Sequence, residues 1–361
     1  MGFGIQTKNQ TIHRRLIVLL SALMLILLAI TPVWAADSST SGSDKIIDGY
    51  GNTASIPQSV NTIVVIQGAC NVPSLLCALG IGDKLIQGLC FKTPLQIKLQ
   101  PDYAKIDPLQ VQNGEANVED LVKQNADIVF GWTNIKNGQA IRDAGVNLFI
   151  VNLDSFDEMV ETIKSIAKIT GTEKKGDELL QTLNETIQMI DSKVSTVSQD
   201  KKKKVLLLTK SDPITVMGAD TFNRGLIEKA GGICVTDNMP GYFLETDMEQ
   251  ILKMDPDIIL VSATGGNSYN DIMNSTAWDS VRAKKEGHIY QVPTGVFYWD
   301  KPGSENNLFL LWEANKFYPD LVSVDTLKSE AQKFYKKFFN YDLSDEDFNS
   351  MINPVKKAKT T

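Results

Sequence analysis

Glu119-Asp120-Leu121-Val122-Lys123-Gln124-Asn125-Ala126-Asp127-Ile128-Val129 is echoed 130 residues later by Glu249-Gln250-Ile251-Leu252-Lys253-Met254-Asp255-Pro256-Asp257-Ile258-Ile259. Glu, Lys, Asp and Ile return at the same offset, with apolar positions kept between them. Each copy reads as a short helix, a polar turn and a buried strand. Self-similarity at such a distance marks a duplicated unit, so two similar α/β lobes are expected.

The flanks agree. Thr62-Ile63-Val64-Val65-Ile66 is a continuous β-branched run, the pattern of a strand covered on both faces. Pro73 to Leu79 reads as a helix stopped by Gly80, Leu85 to Leu89 as a strand, and Leu148 to Val151 as another. A hairpin is expected over Asp44 to Ile56, turning at Gly49-Tyr50-Gly51-Asn52. The alternation resumes after the basic run Lys201–Lys204, itself read as a solvated loop. Val205 to Thr209, Asp257 to Val261 and Ile289 to Val292 are strands there, and Phe222 to Ala230, Leu308 to Lys316 and Val324 to Phe339 are helices. Strands alternating with helices imply a mainly parallel sheet with both faces covered. Between the halves, Met159, Ile163, Ile166 and Ile169, then Leu179, Leu183, Ile187, Ile190 and Val194, recur at helical spacing around Gly171. The fold class expected is therefore α/β, two similar Rossmann-like lobes joined by one long α-helix. The boundaries are a leader at 1–35, a linker at 36–44, a first lobe at 45–154, a connector at 155–200 and a second lobe at 201–361.

The leader carries Lys8, Arg14 and Arg15 and no acid, then the uncharged run Leu16 to Ile30, then Val33-Trp34-Ala35. This is the order of a secretory signal, with cleavage expected after Ala35. The rival is an uncleaved anchor, since Leu16 to Ala36 approaches the ~20 residues that span a bilayer. Either way the body lies outside the cytoplasm, periplasmic or associated with the cell surface. Net charge over the 361 residues is -7. A body in which acids outnumber basic residues is a poor partner for nucleic acid, whose phosphates need a basic face.

Several chemistries lack their residues. Gly80-Ile81-Gly82 has Leu85 where a dinucleotide fingerprint needs its third glycine, and it leaves a helix rather than entering one. There is no phosphate-binding GxxxxGK[ST] and no GxSxG. Of two histidines only His288 lies in the body, so histidine-based catalysis and a multi-histidine metal site are not expected; His288 reads as half-buried or on the surface. The four cysteines contain no CxxC. Cys70 and Cys77 stand ~10 Å apart along a helix, too far to bridge. Three of the four read as small core residues, and a bridge or thiolate pair between Cys70 and Cys90 stays open.

These pieces in this order resemble the substrate-binding proteins of ABC importers for iron–siderophore complexes, haem and cobalamin. The likeness runs from Ile46 to Tyr341 and rests on Ile47-Asp48-Gly49 through Ile56-Pro57, Ala78-Leu79-Gly80-Ile81-Gly82-Asp83-Lys84-Leu85, the paired Glu-to-Ile segments and Lys229-Ala230-Gly231-Gly232. Pro293 to Glu305 looks like a stretch in relatives for iron complexes, a molybdate/tungstate binder among them. The resemblance implies no catalysis and no resident cofactor, the ligand being a metal chelate. It implies a monomer that works with a permease and its ATPase. Glu119 and Glu249 match the acids that dock on permease arginines. In parallel α/β lobes ligands sit where strands end, which nominates Gln67, Asn71, Phe91, Lys92, Trp132, Lys210, Tyr242, Tyr298, Trp299 and Lys301. The aromatics would wall a macrocycle or catecholate, and the lysines would offset a chelate's negative charge; haem would need Tyr242 or Tyr298 as its ligand. The arginine cluster of many anionic-siderophore binders is not evident. The alternatives are a molybdate or tungstate receptor and a secreted two-lobe metalloenzyme.

Overall fold

The computed structural model describes residues 44–354. The expected leader at 1–35 and the linker at 36–44, Asp44 apart, lie outside the described residues. Strands β1 (Lys45–Ile47) and β2 (Thr53–Ser55) form the expected hairpin. Then follow β3 (Ile63–Val65), α1 (Val72–Ala78), β4 (Leu85–Gln87), α2 (Pro94–Leu99), the small hairpin of β5 (Val111–Gln112) and β6 (Glu115–Ala116), α3 (Val118–Gln124), β7 (Ile128–Trp132), α4 (Gly138–Asp143) and β8 (Leu148–Val151). The four longer-range strands make a parallel sheet in the order β4-β3-β7-β8.

Helices α5 (Phe156–Thr170) and α6 (Glu173–Val194) lead into the second half. Gly171, at φ 67, breaks the connector into these two, and the 22 residues of α6 span ~33 Å at 1.5 Å each. The second half holds β9 (Lys204–Ser211), β10 (Ile214–Met217), α7 (Phe222–Lys229), β11 (Ile233–Cys234), β12 (Phe243–Glu245), α8 (Met248–Met254), β13 (Ile258–Val261), α9 (Ser268–Asn274), α10 (Arg282–Lys285), β14 (Ile289–Gln291), α11 (Asn306–Phe317), α12 (Val324–Phe339) and α13 (Asp345–Ile352). Its parallel part, β11-β9-β13-β14, repeats the order of the first sheet. The sequence reading missed an antiparallel extension: β9 runs long enough for its second half to pair with β10, which pairs with β12.

The repeated segment has one structural job in both halves. The Asn117 and Asp247 side chains cap α3 and α8 by accepting the N–H of Asp120 and Gln250. Both helices end in left-handed residues, Asn125 and Asp255. The carboxylates of Asp127 and Asp257 then accept the backbone N–H of Thr62 at 2.9 Å and of Lys204 at 2.7 Å, pinning the start of the neighbouring strand. Leu121 and Ile251 close the outer face of their own sheet.

Alternation along the strands sorts the core. Val64 and Ile66 face the outer core of the first sheet, and Leu206 and Leu208 that of the second. Ile63, Val65, Val205 and Leu207 face inward to a continuous core with α5, α6 and the C-terminal helices. The C-terminal segment also reaches back to the first half. α12 packs on α1, and Lys98 of α2 pairs with Asp347 of α13 at 2.8 Å.

Candidate ligand-binding cleft

The ends of the parallel strands open on a crevice of about 600 Å³. From the first half it is lined by Gln67, Gly68, Cys70 and Asn71 after β3, Phe91 after β4, Val111 and Gly114 of the small hairpin, Trp132 and Asn134 at the end of β7, and Leu153 after β8. From the second come Tyr242 and Phe243 at β12, Thr264 after β13, and Phe297, Tyr298, Lys301 and Pro302 from the loop before α11. Seven of the ten nominated residues are therefore brought together. Trp132 and Tyr298 share one crevice, and Asn71 spans it by donating to the Pro302 carbonyl at 2.9 Å.

Three nominated residues lie elsewhere. Trp299 is 1% exposed and donates its Nε1–H to Glu305 at 3.1 Å, so it belongs to the core. Lys92 reaches the Ala104 carbonyl at 2.8 Å rather than the crevice. Lys210 is an exposed residue inside β9, paired with Thr215, because that strand continues past the expected end. The charge balance of the site changes accordingly. Lys301 is the one charged residue in the lining, and its Nζ sits 3.2 Å from the fully buried Asp300. The Asp300 carboxylate also accepts the Ser262 hydroxyl at 2.5 Å.

Aromatic rings dominate the walls. Phe91 meets Tyr298 edge-on at 5.4 Å, and Tyr242 meets Phe243 at 4.8 Å. Burial, with Asp154 and Asp300 nearby, pushes the Tyr242 phenol up to about 12. Burial and Asp300 push Tyr298 up as well. Both stay neutral hydrogen-bonding groups at ordinary pH, and forming a phenolate on either costs extra.

The loop carrying Phe297 and Tyr298 is organised by residues the sequence reading did not single out. Glu305 accepts the Phe297 N–H at 2.8 Å, the Trp299 indole N–H and the Tyr335 hydroxyl. Gly295 passes so near that a Cβ there would run into the Glu305 carboxylate. Asn306 accepts the Gly303 N–H and donates to the carbonyls of Trp299 and Lys301. A buried acid in a loop rich in glycine and aromatics was the only available signal.

Beneath this loop Glu313 is 1% exposed, and its Oε2 has no hydrogen-bond partner. Burial, reinforced by Asp300, raises its carboxyl well above the usual range. The folded chain therefore keeps this proton to higher pH than the unfolded chain does. Between the ordinary glutamate value and the raised one, folding takes up a proton and stability falls as pH rises. Glu313→Gln removes that penalty. Its melting temperature should match the wild type near pH 4 and exceed it increasingly toward pH 8; a constant difference across the range would contradict this.

Cys70 and Cys90 form a disulfide, which settles the open alternative. Cys77 and Cys234 are free and buried, so two cysteines rather than three serve as small core residues. His288 is half-buried beside Glu286 and does not line the crevice. Among the described residues no cluster of three or more His, Cys, Asp or Glu could hold a metal ion, and no helix is long and apolar enough to cross a membrane.

Residues 98–294 match the family described as periplasmic binding protein. The chain belongs to that family. It is 28% identical over 251 residues to the ABC transporter substrate-binding lipoprotein YvrC of Bacillus subtilis, covering 67% of this chain and 76% of that one. It is 27% identical over 214 residues to the iron(3+)-hydroxamate-binding protein FhuD of the same organism, covering 55% and 65%. Its fold resembles the molybdate-bound MolA of Haemophilus influenzae at TM-score 0.72 and 19% identity, over 83% of this chain and 99% of that one. The protein is thus the substrate-binding component of an ABC importer and not an enzyme. Its class is extracytoplasmic and works with a permease and an ATPase.

Proposed function

We propose that the crevice captures one bulky metal chelate of low net charge, an iron–siderophore complex, and that the protein hands it to the permease. The observation that carries this reading is the lining: six aromatic residues around about 600 Å³, with a single lysine already countered by Asp300. Such walls suit a large ligand that brings its own metal ligands, with rings stacking on its apolar surface. A corrinoid shares that bulk and is the second candidate. Haem fits less well, since its iron would need a phenolate from Tyr242 or Tyr298. A bare oxyanion is only a few times the ~30 Å³ of a water molecule and would leave most of the crevice unfilled. The relative named for iron(3+)-hydroxamate supports the first choice.

In this reading the lobes at 45–154 and 201–361 hinge slightly about 155–200. The ties across them, Asn71 to Pro302 and Lys98 to Asp347, keep the closure small. Trp132 is the tryptophan in the lining, so a fluorescence titration reports occupancy. Saturable quenching by a ferric hydroxamate or by cobalamin, with none by molybdate, supports the proposal; a response to molybdate alone overturns it.

Glu119 and Glu249 are proposed to dock the permease. Each is the second residue of its helix, and each is exposed. A helix that returns antiparallel to its sheet begins at the edge where the strands end, so both acids sit on the crevice side of their lobe. Glu119→Lys with Glu249→Lys should leave chelate affinity unchanged and reduce uptake by at least ~10-fold through lost charge complementarity. Unchanged uptake would remove the docking role.

A further inference from the structure

The loops after β3 and β4 are joined by the Cys70–Cys90 disulfide, with Cα atoms 5.5 Å apart. Cys70 lies in the crevice lining. From Cys90 the chain passes directly to Phe91, whose ring meets Tyr298 at 5.4 Å and Phe297 at 6.2 Å in the other lobe. Two residues on, Thr93 donates its hydroxyl to the Gly295 carbonyl at 2.8 Å while capping α2 through the Gln96 N–H. Upstream, Gly88 holds φ +107 where a Cβ would strike the Val65 carbonyl. A short segment thus runs from a covalent bond in the crevice floor to the opposite wall. Phe91 itself is 42% exposed. Ring contacts of this kind are worth only ~0.5–1.5 kcal/mol, too little alone to fix an exposed side chain on a loop.

We propose that the Cys70–Cys90 disulfide is a positioning element of the ligand site. It holds Phe91 against Phe297 and Tyr298, so the aromatic wall is complete only in the oxidised protein, and Phe91 sets how tightly a bulky ligand is held. The proposal rests on the reading of the crevice as the cargo site. A dithiol such as dithiothreitol breaks the Sγ–Sγ bond, delivers two electrons and two protons to give two thiols, and itself closes to a cyclic disulfide. A chain still in a reducing compartment would then hold its cargo weakly, and full affinity would appear after oxidation outside.

Two arms test this. In the first, without ligand, hydrogen exchange of residues 89–97 is compared before and after reduction by dithiothreitol. Exchange in this segment should quicken at least ~5-fold, with the sheets unchanged, because local opening is governed by local ties. In the second, Cys70→Ser with Cys90→Ser avoids exposing ferric iron to reductant, and ferric desferrioxamine is the probe. The pair should weaken binding ~10-fold, about 1.4 kcal/mol. Phe91→Ala should weaken it similarly, and adding the serine pair to Phe91→Ala should cost nothing more, the mark of groups acting as one unit. Unchanged exchange on reduction, or losses that add in full, overturns the proposal. If oxidised wild type binds neither ferric desferrioxamine nor cobalamin, the cargo reading fails and the exchange arm alone decides the positioning role.

Discussion

Glu305→Ala is expected to lower the stability of the fold by about 3 kcal/mol, from ~1 kcal/mol or more for each buried donor left without an acceptor. Three donors lose the carboxylate together: the Phe297 N–H, the Trp299 indole N–H and the Tyr335 hydroxyl, which keeps only the weak Met351 Sδ acceptor. All are buried, so water cannot replace the carboxylate without opening the loop. The same change should loosen Phe297 and Tyr298 and so weaken ligand binding. Glu305→Gln keeps the shape and one acceptor and should fall between. Denaturant unfolding of both variants provides the check. A loss below about 1 kcal/mol for the alanine variant, the worth of one ordinary hydrogen bond, would mean that Glu305 does not organise the loop.

Trp132→Ala is expected to weaken chelate binding by ~100-fold, about 2.7 kcal/mol, the scale of a buried aromatic anchor at the centre of a site. Trp132 lies at the end of β7, between Gly68 and the rest of the lining. Trp132→Phe should recover most of the loss, because stacking area rather than the indole N–H does the work. Competition against a bound fluorescent chelate measures this once the crevice tryptophan is gone. Equal affinity in wild type and Trp132→Ala would take the ligand away from this wall.

The fold was readable because its repeat is enforced by hydrogen bonds as well as by burial. Asp127 and Asp257 return at one spacing since each pins a neighbouring strand, and Leu121 and Ile251 since each covers a sheet. The antiparallel β10 and β12 escaped notice because they are short and follow a strand whose apolar run ends before its pairing does. The crevice was readable where a residue's place follows from a strand end, as for Gln67, Asn71 and Trp132. It was not readable inside the loop from Pro293 to Ser304. There Tyr298 lines the crevice and Trp299 enters the core, and what separates them is Glu305, a partner fixed only by the folded loop. Two of the three nominated lysines stay out of the crevice for a similar reason. Lys92 and Lys210 are near the right strands in sequence, but local partners and strand length turn them away.

The most direct measurement is calorimetric titration of the oxidised protein with a ferric hydroxamate, alongside cobalamin and molybdate. One ligand per chain is expected, with a negative heat-capacity change from burying the aromatic walls, and with binding abolished or sharply weakened by Trp132→Ala. Saturable binding of molybdate with no heat from either chelate would contradict the chelate-receptor reading.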